Sequence, residues 1–212
     1  MELCTKVKAN SINNLSDGRY FAPFAEWVGF NFNTQNPNGI DLPTAVMIMG
    51  WLAGPRIVGE FDNLPLETIN EIAKELQLDS IQTDLDLPAT HLLPIISTVI
   101  RRIVVTPNST ANDILDVIEH AQGVAYFLLD FQTYQTEWHS IEQHASINVP
   151  FLRYLCTQYP ILLAAVFTAS NVLPIINNIP AAGIALPSGN ELQAGIRVFD
   201  DVQDIIEQLE VF

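Results

Sequence analysis

The sequence predicts an α/β fold, a single (β/α)8 barrel of the TIM-barrel class, with residues 1–212 forming one domain. Short apolar runs of strand length alternate with stretches of helical periodicity, the pattern of repeated βα units. Eight such runs can be counted, each followed by a helix or loop, and no linker-like stretch interrupts them. A length of 212 residues suits one compact barrel. A doubly wound open sheet is the alternative, and the strand count favours the barrel.

The first strand is expected near residues 3–9, followed by a helix from about Asn14 with Ser16 and Asp17 in its first turn, where they favour the helix dipole. Residues 27–32 make the second strand, and Asp41 caps a helix starting near Pro43. Residues 56–61 are the third strand. Residues 63–78 carry the clearest helix, with Pro65 near its start and Ile69, Ile72, Ala73 and Leu76 on one face. Residues 79–83 form a short fourth strand. The fourth helix is weak, because residues 87–93 contain Pro88 and make a single turn at most. The β-branched run 99–106 is strand five, and Asn108 or Ser109 caps a helix reaching His120. Strand six covers 124–130. Residues 131–149 are polar and aperiodic and read as a long loop before a helix over 150–158. Strand seven is 161–166, with Thr168 or Ser170 capping the next helix. Strand eight is 184–187, residues 189–197 read as a loop, and a closing helix covers 200–211.

Composition narrows the function. Nine Lys and Arg face 24 Asp and Glu, a formal net charge of −15. That balance excludes nucleic acid, whose affinity rests on cationic neutralisation of phosphates, and disfavours anionic membrane surfaces. It also steers phosphorylated ligands away at long range, although a local pocket can override the global field. No apolar run approaches the roughly 18 residues of a transmembrane helix. Residues 1–6 have no apolar signal-peptide core, so a cytoplasmic location is expected. Cys4 and Cys156 are too few for a disulfide scaffold and read as two buried thiols.

The segment Lys8-Ala9-Asn10-Ser11-Ile12-Asn13-Asn14-Leu15-Ser16-Asp17 reads as a strand end, a loop and a helix start. Its register resembles the first strand and loop of phosphoribosylanthranilate isomerase, a family that places a catalytic Cys-Gly pair where this chain has Asn10-Ser11. The resemblance continues in order along nearly the whole chain. Gly29-Phe30-Asn31-Phe32 is similar to the family's Gly-Phe-x-Phe, but Asn38 occupies the Arg position of the turn that follows. Gly59-Glu60-Phe61-Asp62-Asn63 looks like the third strand. Gln82-Thr83-Asp84-Leu85 replaces Gln-Leu-His-Gly. Phe127-Leu128-Leu129-Asp130 keeps the sixth strand's terminal acid. Ala164-Ala165-Val166-Phe167 stands where the family has Ala-Gly-Gly-Leu. Ala185-Leu186-Pro187-Ser188-Gly189 resembles Asp-Val-Ser-Ser-Gly, with Ala185 in place of the Asp, and Gly195-Ile196-Arg197 resembles Gly-x-Lys.

The resemblance implies an Amadori isomerisation of a phosphorylated aminosugar, a step of tryptophan biosynthesis. It makes Asp130 the acid and position 10 the base. An amide is not deprotonated near neutral pH, so Asn10 cannot be that base. The resemblance also implies a phosphate site at the loops after strands seven and eight, built from Ala165, Val166, Ser188 and Gly189. A valine there crowds the approach that glycine allows. Ser170 and Asn171 offer a helix N-terminus to an anion instead.

Read from the residues alone, Lys8 and Asn10 are two apart on one strand and point the same way. Lys8 inside a barrel binds an anion, acts as a base or pairs with a carboxylate, for which Glu60 and Asp84 are the candidates; the ion pair is favoured. Asp130 is a catalytic acid or a structural one bonding loop amides. Lys8, Glu60, Asp84, Asn38 and Arg197 are the expected polar groups of the barrel mouth. His139 and His144, near Glu137 and Glu142, match no strong zinc spacing, and no metal or other cofactor is expected. Phe131, Tyr134 and Trp138 form an aromatic set able to close over the mouth. The expectation is therefore a divergent isomerase-like barrel, a monomer or homodimer, with catalysis lost or impaired and a small phosphorylated or anionic ligand as partner. The alternatives are an active sugar-phosphate isomerase that pairs Asp130 with Asp84 or Glu60, and a non-catalytic interaction scaffold.

Overall fold

The computed structural model describes residues 2–87, 91–193 and 196–211, and of residues 190–193 and 196–197 the backbone alone. Eight parallel strands close into a barrel in sequence order: β1 (Val7–Ala9), β2 (Trp27–Asn31), β3 (Arg56–Glu60), β4 (Ser80–Thr83), β5 (Thr98–Val104), β6 (Tyr126–Asp130), β7 (Ile161–Ala164) and β8 (Gly183–Leu186). β8 returns to β1 through the register Lys8↔Ala185, which closes the ring. The open-sheet alternative is thereby excluded. The first strand is shorter than the expected 3–9, because Leu3 pairs antiparallel with Glu210 instead of with a barrel neighbour.

Helices α1 (Leu15–Phe21), α2 (Leu42–Met49), α3 (Leu66–Glu75), α4 (Ala111–His120), α5 (Trp138–Glu142), α6 (Val149–Gln158), α7 (Val172–Asn178) and α8 (Asp200–Leu209) surround the strands. Asn14 caps α1 and Asp41 caps α2, each accepting from the backbone N–H three residues on. Two expected caps are corrected. The Ser109 hydroxyl accepts from the Thr106 N–H at 2.9 Å, so it closes a turn, and Thr110 caps α4 in a reciprocal box with Asp113. Asn171, not Thr168 or Ser170, precedes α7; its side chain accepts from Thr168 N and donates to Val166 O, tying the loop to itself. The loop expected over 131–149 contains α5, fastened by the Trp138 indole donating to Glu142 at 3.1 Å. The loop expected over 189–197 carries an antiparallel pair, β9 (Asn190–Gln193) with β10 (Ile196–Val198). The single turn expected over 87–93 falls partly on residues 88–90, which lie outside the described ones.

Side chains two apart on a strand share a face, and this sorts the barrel into two cores. Val7, Val28, Phe30, Ile81, Ile103 and Leu129 face outward into the jacket of helices. Trp27, Val58, Ile100, Leu128, Leu162, Ala164 and Ala185 form the inner core. The inner side chains nearer the C-terminal rim are polar: Lys8, Asn31, Glu60, Gln82 and Asp130 are all buried. Cys156 packs against the outer core, but Cys4 is exposed, which corrects the expectation of two buried thiols. Among the described residues no helix is long and apolar enough to cross a membrane.

Candidate functional site

At the ends of β1 and β3 the sequence builds a buried ion pair. Lys8 is fully buried, its ammonium bonded to Glu60 Oε1 and, at 2.6 Å, to the amide oxygen of Asn10. Ser11 has a left-handed backbone (φ 52°), which turns both its N–H (3.1 Å) and its hydroxyl (2.7 Å) onto Glu60 Oε2. Burial pulls the Lys8 pKa below its ordinary value, opposed by the charge and hydrogen bond of Glu60. Gly29 on the intervening strand makes this possible: a Cβ there would lie 1.9 Å from Glu60 Oε1. An ion pair is what the sequence favoured for Lys8, and Glu60 is one of the two candidate partners it offered. Asp84, the other expected partner, is engaged elsewhere.

Asp84 belongs to a second cluster, centred on Arg102 of β5. Its two oxygens accept from Arg102 Nε and Nη2 at 2.7 Å each, a bidentate pair. Arg102 Nη2 also reaches Asp62 at 2.9 Å, and Nη1 lies 3.8 Å from Asp130. Burial works against this charge, but Asp84, Asp62 and Asp130 outweigh it and hold the guanidinium above its ordinary pKa. Asp62 further accepts from the side-chain amides of Asn31, Asn33 and Asn36 at 3.1–3.3 Å. Asp130 is bonded by the Thr133 N–H at 2.9 Å and its hydroxyl at 2.7 Å. The resulting group holds four carboxyl side chains (Glu60, Asp62, Asp84, Asp130) and two cations (Lys8, Arg102).

The β7–β8 side is different. The register of β7 with β8 covers only Leu162↔Gly183 and Leu163↔Ile184. Beyond it, the Gln132 amide donates to Ala165 O at 2.9 Å and Ala185 O at 3.0 Å, bridging the two strand ends. Ala165, Val166 and Ser188 line a pocket of about 190 Å³ whose other walls include Phe167, Leu186, Val202, Ile205 and the acidic Asp201 at the start of α8. Gly189 packs elsewhere: a Cβ there would lie 2.6 Å from the Phe199 ring. The Arg197 side chain lies outside what is described.

A polar cleft of about 370 Å³ opens at the C-terminal rim, lined by Asn10, Ser11, Asn38, Glu60, Gln82, Arg102, Asp130, Gln132 and Ser188 among others. The rim is where barrel enzymes carry their chemistry. The structure thus brings Asn10, Asn38, Glu60, Asp130 and Ser188 together. It separates Ala165 and Val166 into the neighbouring pocket, and Lys8 and Asp84 support the cleft without lining it. The aromatic closure is not formed. Phe131 is buried in the outer core, Tyr134 is half exposed, and neither they nor Trp138 line the cleft. His144 uses Nδ1 to accept from Ile147 N at 2.9 Å, bracing its own loop. No group of His, Cys, Asp and Glu among the described residues is arranged to hold a metal.

Sequence reasoning missed Arg102, Asp62, Gln82 and Gln132. A signal existed for the first: two consecutive arginines, Arg101 and Arg102, within a central strand must place one of them inside the barrel. Gln82 is 3% exposed, and its Oε1 has no hydrogen-bond partner.

Comparison with known proteins agrees with the barrel. Residues 33–208 match the model of the family described as N-(5'-phosphoribosyl)anthranilate (PRA) isomerase. The chain is 26% identical over 210 residues to the N-(5'-phosphoribosyl)anthranilate isomerase of Geotalea daltonii, covering 96% of each. It superposes on phosphoribosyl anthranilate isomerase from Thermotoga maritima with a TM-score of 0.75 at 21% identity, over 96% of this chain and 98% of that one. A phosphoribosyl anthranilate isomerase in complex with reduced 1-(o-carboxyphenylamino)-1-deoxyribulose 5-phosphate gives 0.71 at 23% identity, over 96% and 97%.

Proposed function

The chain belongs to the N-(5'-phosphoribosyl)anthranilate isomerase family, and from that premise we propose that it is a divergent member whose isomerase activity is lost or severely impaired, with a polar ligand cleft kept at the barrel mouth. The observation that carries this reading is the state of Asn10. On the correspondence with the family's base position, this residue must remove a proton from the substrate carbon. It is an amide, and its oxygen is committed to the Lys8 ammonium. Nothing beside it substitutes well. Glu60 is engaged by Lys8 and twice by Ser11, so proton abstraction there would have to compete with three existing hydrogen bonds.

The phosphate site is weakened in the same reading. Binding a 5-phosphate, as in the solved complex of the relative, would fall to Ala165, Val166, Ser188 and Gly189. Here Gln132 bridges the strand ends, Asp201 adds negative charge, and Gly189 is packed against Phe199. We also read residues 1–212 as one domain acting in the cytoplasm, with no metal or cofactor.

The test is turnover of phosphoribosylanthranilate by the purified protein, together with rescue of a tryptophan auxotroph lacking this isomerase. No turnover and no rescue are expected; robust activity in either assay overturns the proposal. A second reading has one observation in its favour: Asp130 and Glu60 line the same cleft, as an acid–base pair must. If turnover is found, Asp130→Asn decides whether that pair performs it, since an unchanged rate removes Asp130 from the chemistry. The open cleft, free of the aromatic side chains, is evidence against a pure scaffold.

A further inference from the structure

Resting on the reading above, we propose that the cleft at the barrel mouth takes an uncharged, hydroxyl-rich ligand of pentose size that carries no phosphate. The first support is the unpaired oxygen of Gln82. This side chain lines the cleft, is 3% exposed, and its Oε1 has no partner. A buried acceptor left unpaired is costly, so a ligand that donates a hydrogen bond there gains affinity from relieving it.

The second support is the balance of donors and acceptors around it. Glu60 Oε1 takes one hydrogen bond, from Lys8, and each Asp130 oxygen takes one, from Thr133, so all three retain acceptor capacity. Donors are also left: the Asn10 oxygen is used by Lys8 and its NH2 is not, while Arg102 Nη1 stands 3.8 Å from Asp130, too far for a hydrogen bond. Hydroxyl groups donate and accept at once and satisfy such a mixed lining; an ammonium cannot accept, and a phosphate dianion cannot donate.

The third support is charge. Both cations of the site are already engaged, against four carboxyl side chains, in a chain of net charge −15. A phosphate dianion entering here meets four carboxyl side chains and only two cations, both already held in ion pairs. A volume of about 370 Å³ accommodates a pentose or hexose and some water.

The experiment compares D-ribose, ribitol and ribose 5-phosphate as probes of matched size on the full-length protein, by calorimetry and by amide NMR. Ribose or ribitol is expected to bind in the millimolar range or tighter, and ribose 5-phosphate at least tenfold more weakly. The Gln82 side-chain amide resonance is expected to shift on titration of the wild-type protein, and Gln82→Met to weaken binding about tenfold. Tighter binding of ribose 5-phosphate overturns the proposal, as does the absence of binding by every probe or a Gln82 resonance unmoved by a bound polyol. These outcomes are separate from the isomerase assay. A protein that prefers the phosphate yet turns over no phosphoribosylanthranilate refutes this ligand class and leaves the loss of catalysis standing.

Discussion

The ammonium of Lys8 donates to the amide oxygen of Asn10 at 2.6 Å and to the carboxylate of Glu60, across the gap left by Gly29. Two non-adjacent strands, β1 and β3, are joined over the one between them. Asn10 serves as one wall of a lysine cage.

Removing the ammonium is expected to be expensive. Lys8→Met leaves Glu60 buried without its cation and should lower unfolding free energy by about 3–5 kcal/mol. The double variant Lys8→Met/Glu60→Gln should be more stable than Lys8→Met alone, because it removes the orphaned charge. Denaturant unfolding of the two variants checks this, and equal stabilities would show that the pair is not coupled.

Gly29→Ala is expected to disrupt the same cage, since its Cβ would meet Glu60 Oε1 at 1.9 Å and Lys8 Nζ at 3.0 Å. A loss of about 1–3 kcal/mol or more is the usual cost of such overpacking. Gly50→Ala serves as the control. Gly50 ends α2 with a helical backbone (φ −61°) and its nearest obstacle is 3.5 Å away, so the substitution should stabilise by about 0.4–1 kcal/mol.

Arg102→Gln is expected to destabilise by about 3 kcal/mol, the range found when one partner of a buried ion pair is removed. It leaves Asp62, Asp84 and Asp130 facing one another without a cation. Thermal unfolding measures the loss, and a variant as stable as the parent would deny Arg102 its central place.

Stability should fall as pH rises from about 10 to about 12. Burial, then the charge of Glu207, pushes the Tyr20 phenol up to about 12 from an ordinary value of 10.0. The folded chain keeps that proton where the unfolded chain releases it, so the folded state binds more protons in this window and is weakened as pH climbs through it. Tyr20→Phe should flatten this part of the profile. A wild-type slope identical to that of the variant would deny Tyr20 a part in it.

The two thiols should differ in reactivity. Cys4 is exposed, while burial pushes Cys156 up to about 12. A disulfide reagent at pH 8 is expected to modify one thiol per chain quickly and the second only after denaturation, with Cys4→Ser removing the fast phase.

The barrel was legible because strand-length apolar runs and helical stretches alternate without interruption. An ion pair for Lys8 was legible because a buried lysine needs a carboxylate, but the choice between Glu60 and Asp84 was not, since it depends on which strand ends the ring brings beside β1. Arg102 escaped notice because the β-branched character of its strand hid the inward parity of the second arginine. Parity also contradicts the expected aromatic closure: Phe131 follows the inward Asp130 and therefore faces the helices. Gln132 was not legible, since nothing local says that an amide will span two strand ends brought beside it by the closure of the ring.

The guanidinium of Arg102 gathers carboxyls from the ends of β3, β4 and β6, whereas the facing carbonyls of β7 and β8 are linked by a single glutamine amide. One substitution at Arg102 therefore unfastens three strand ends together, whereas one at Gln132 unfastens two.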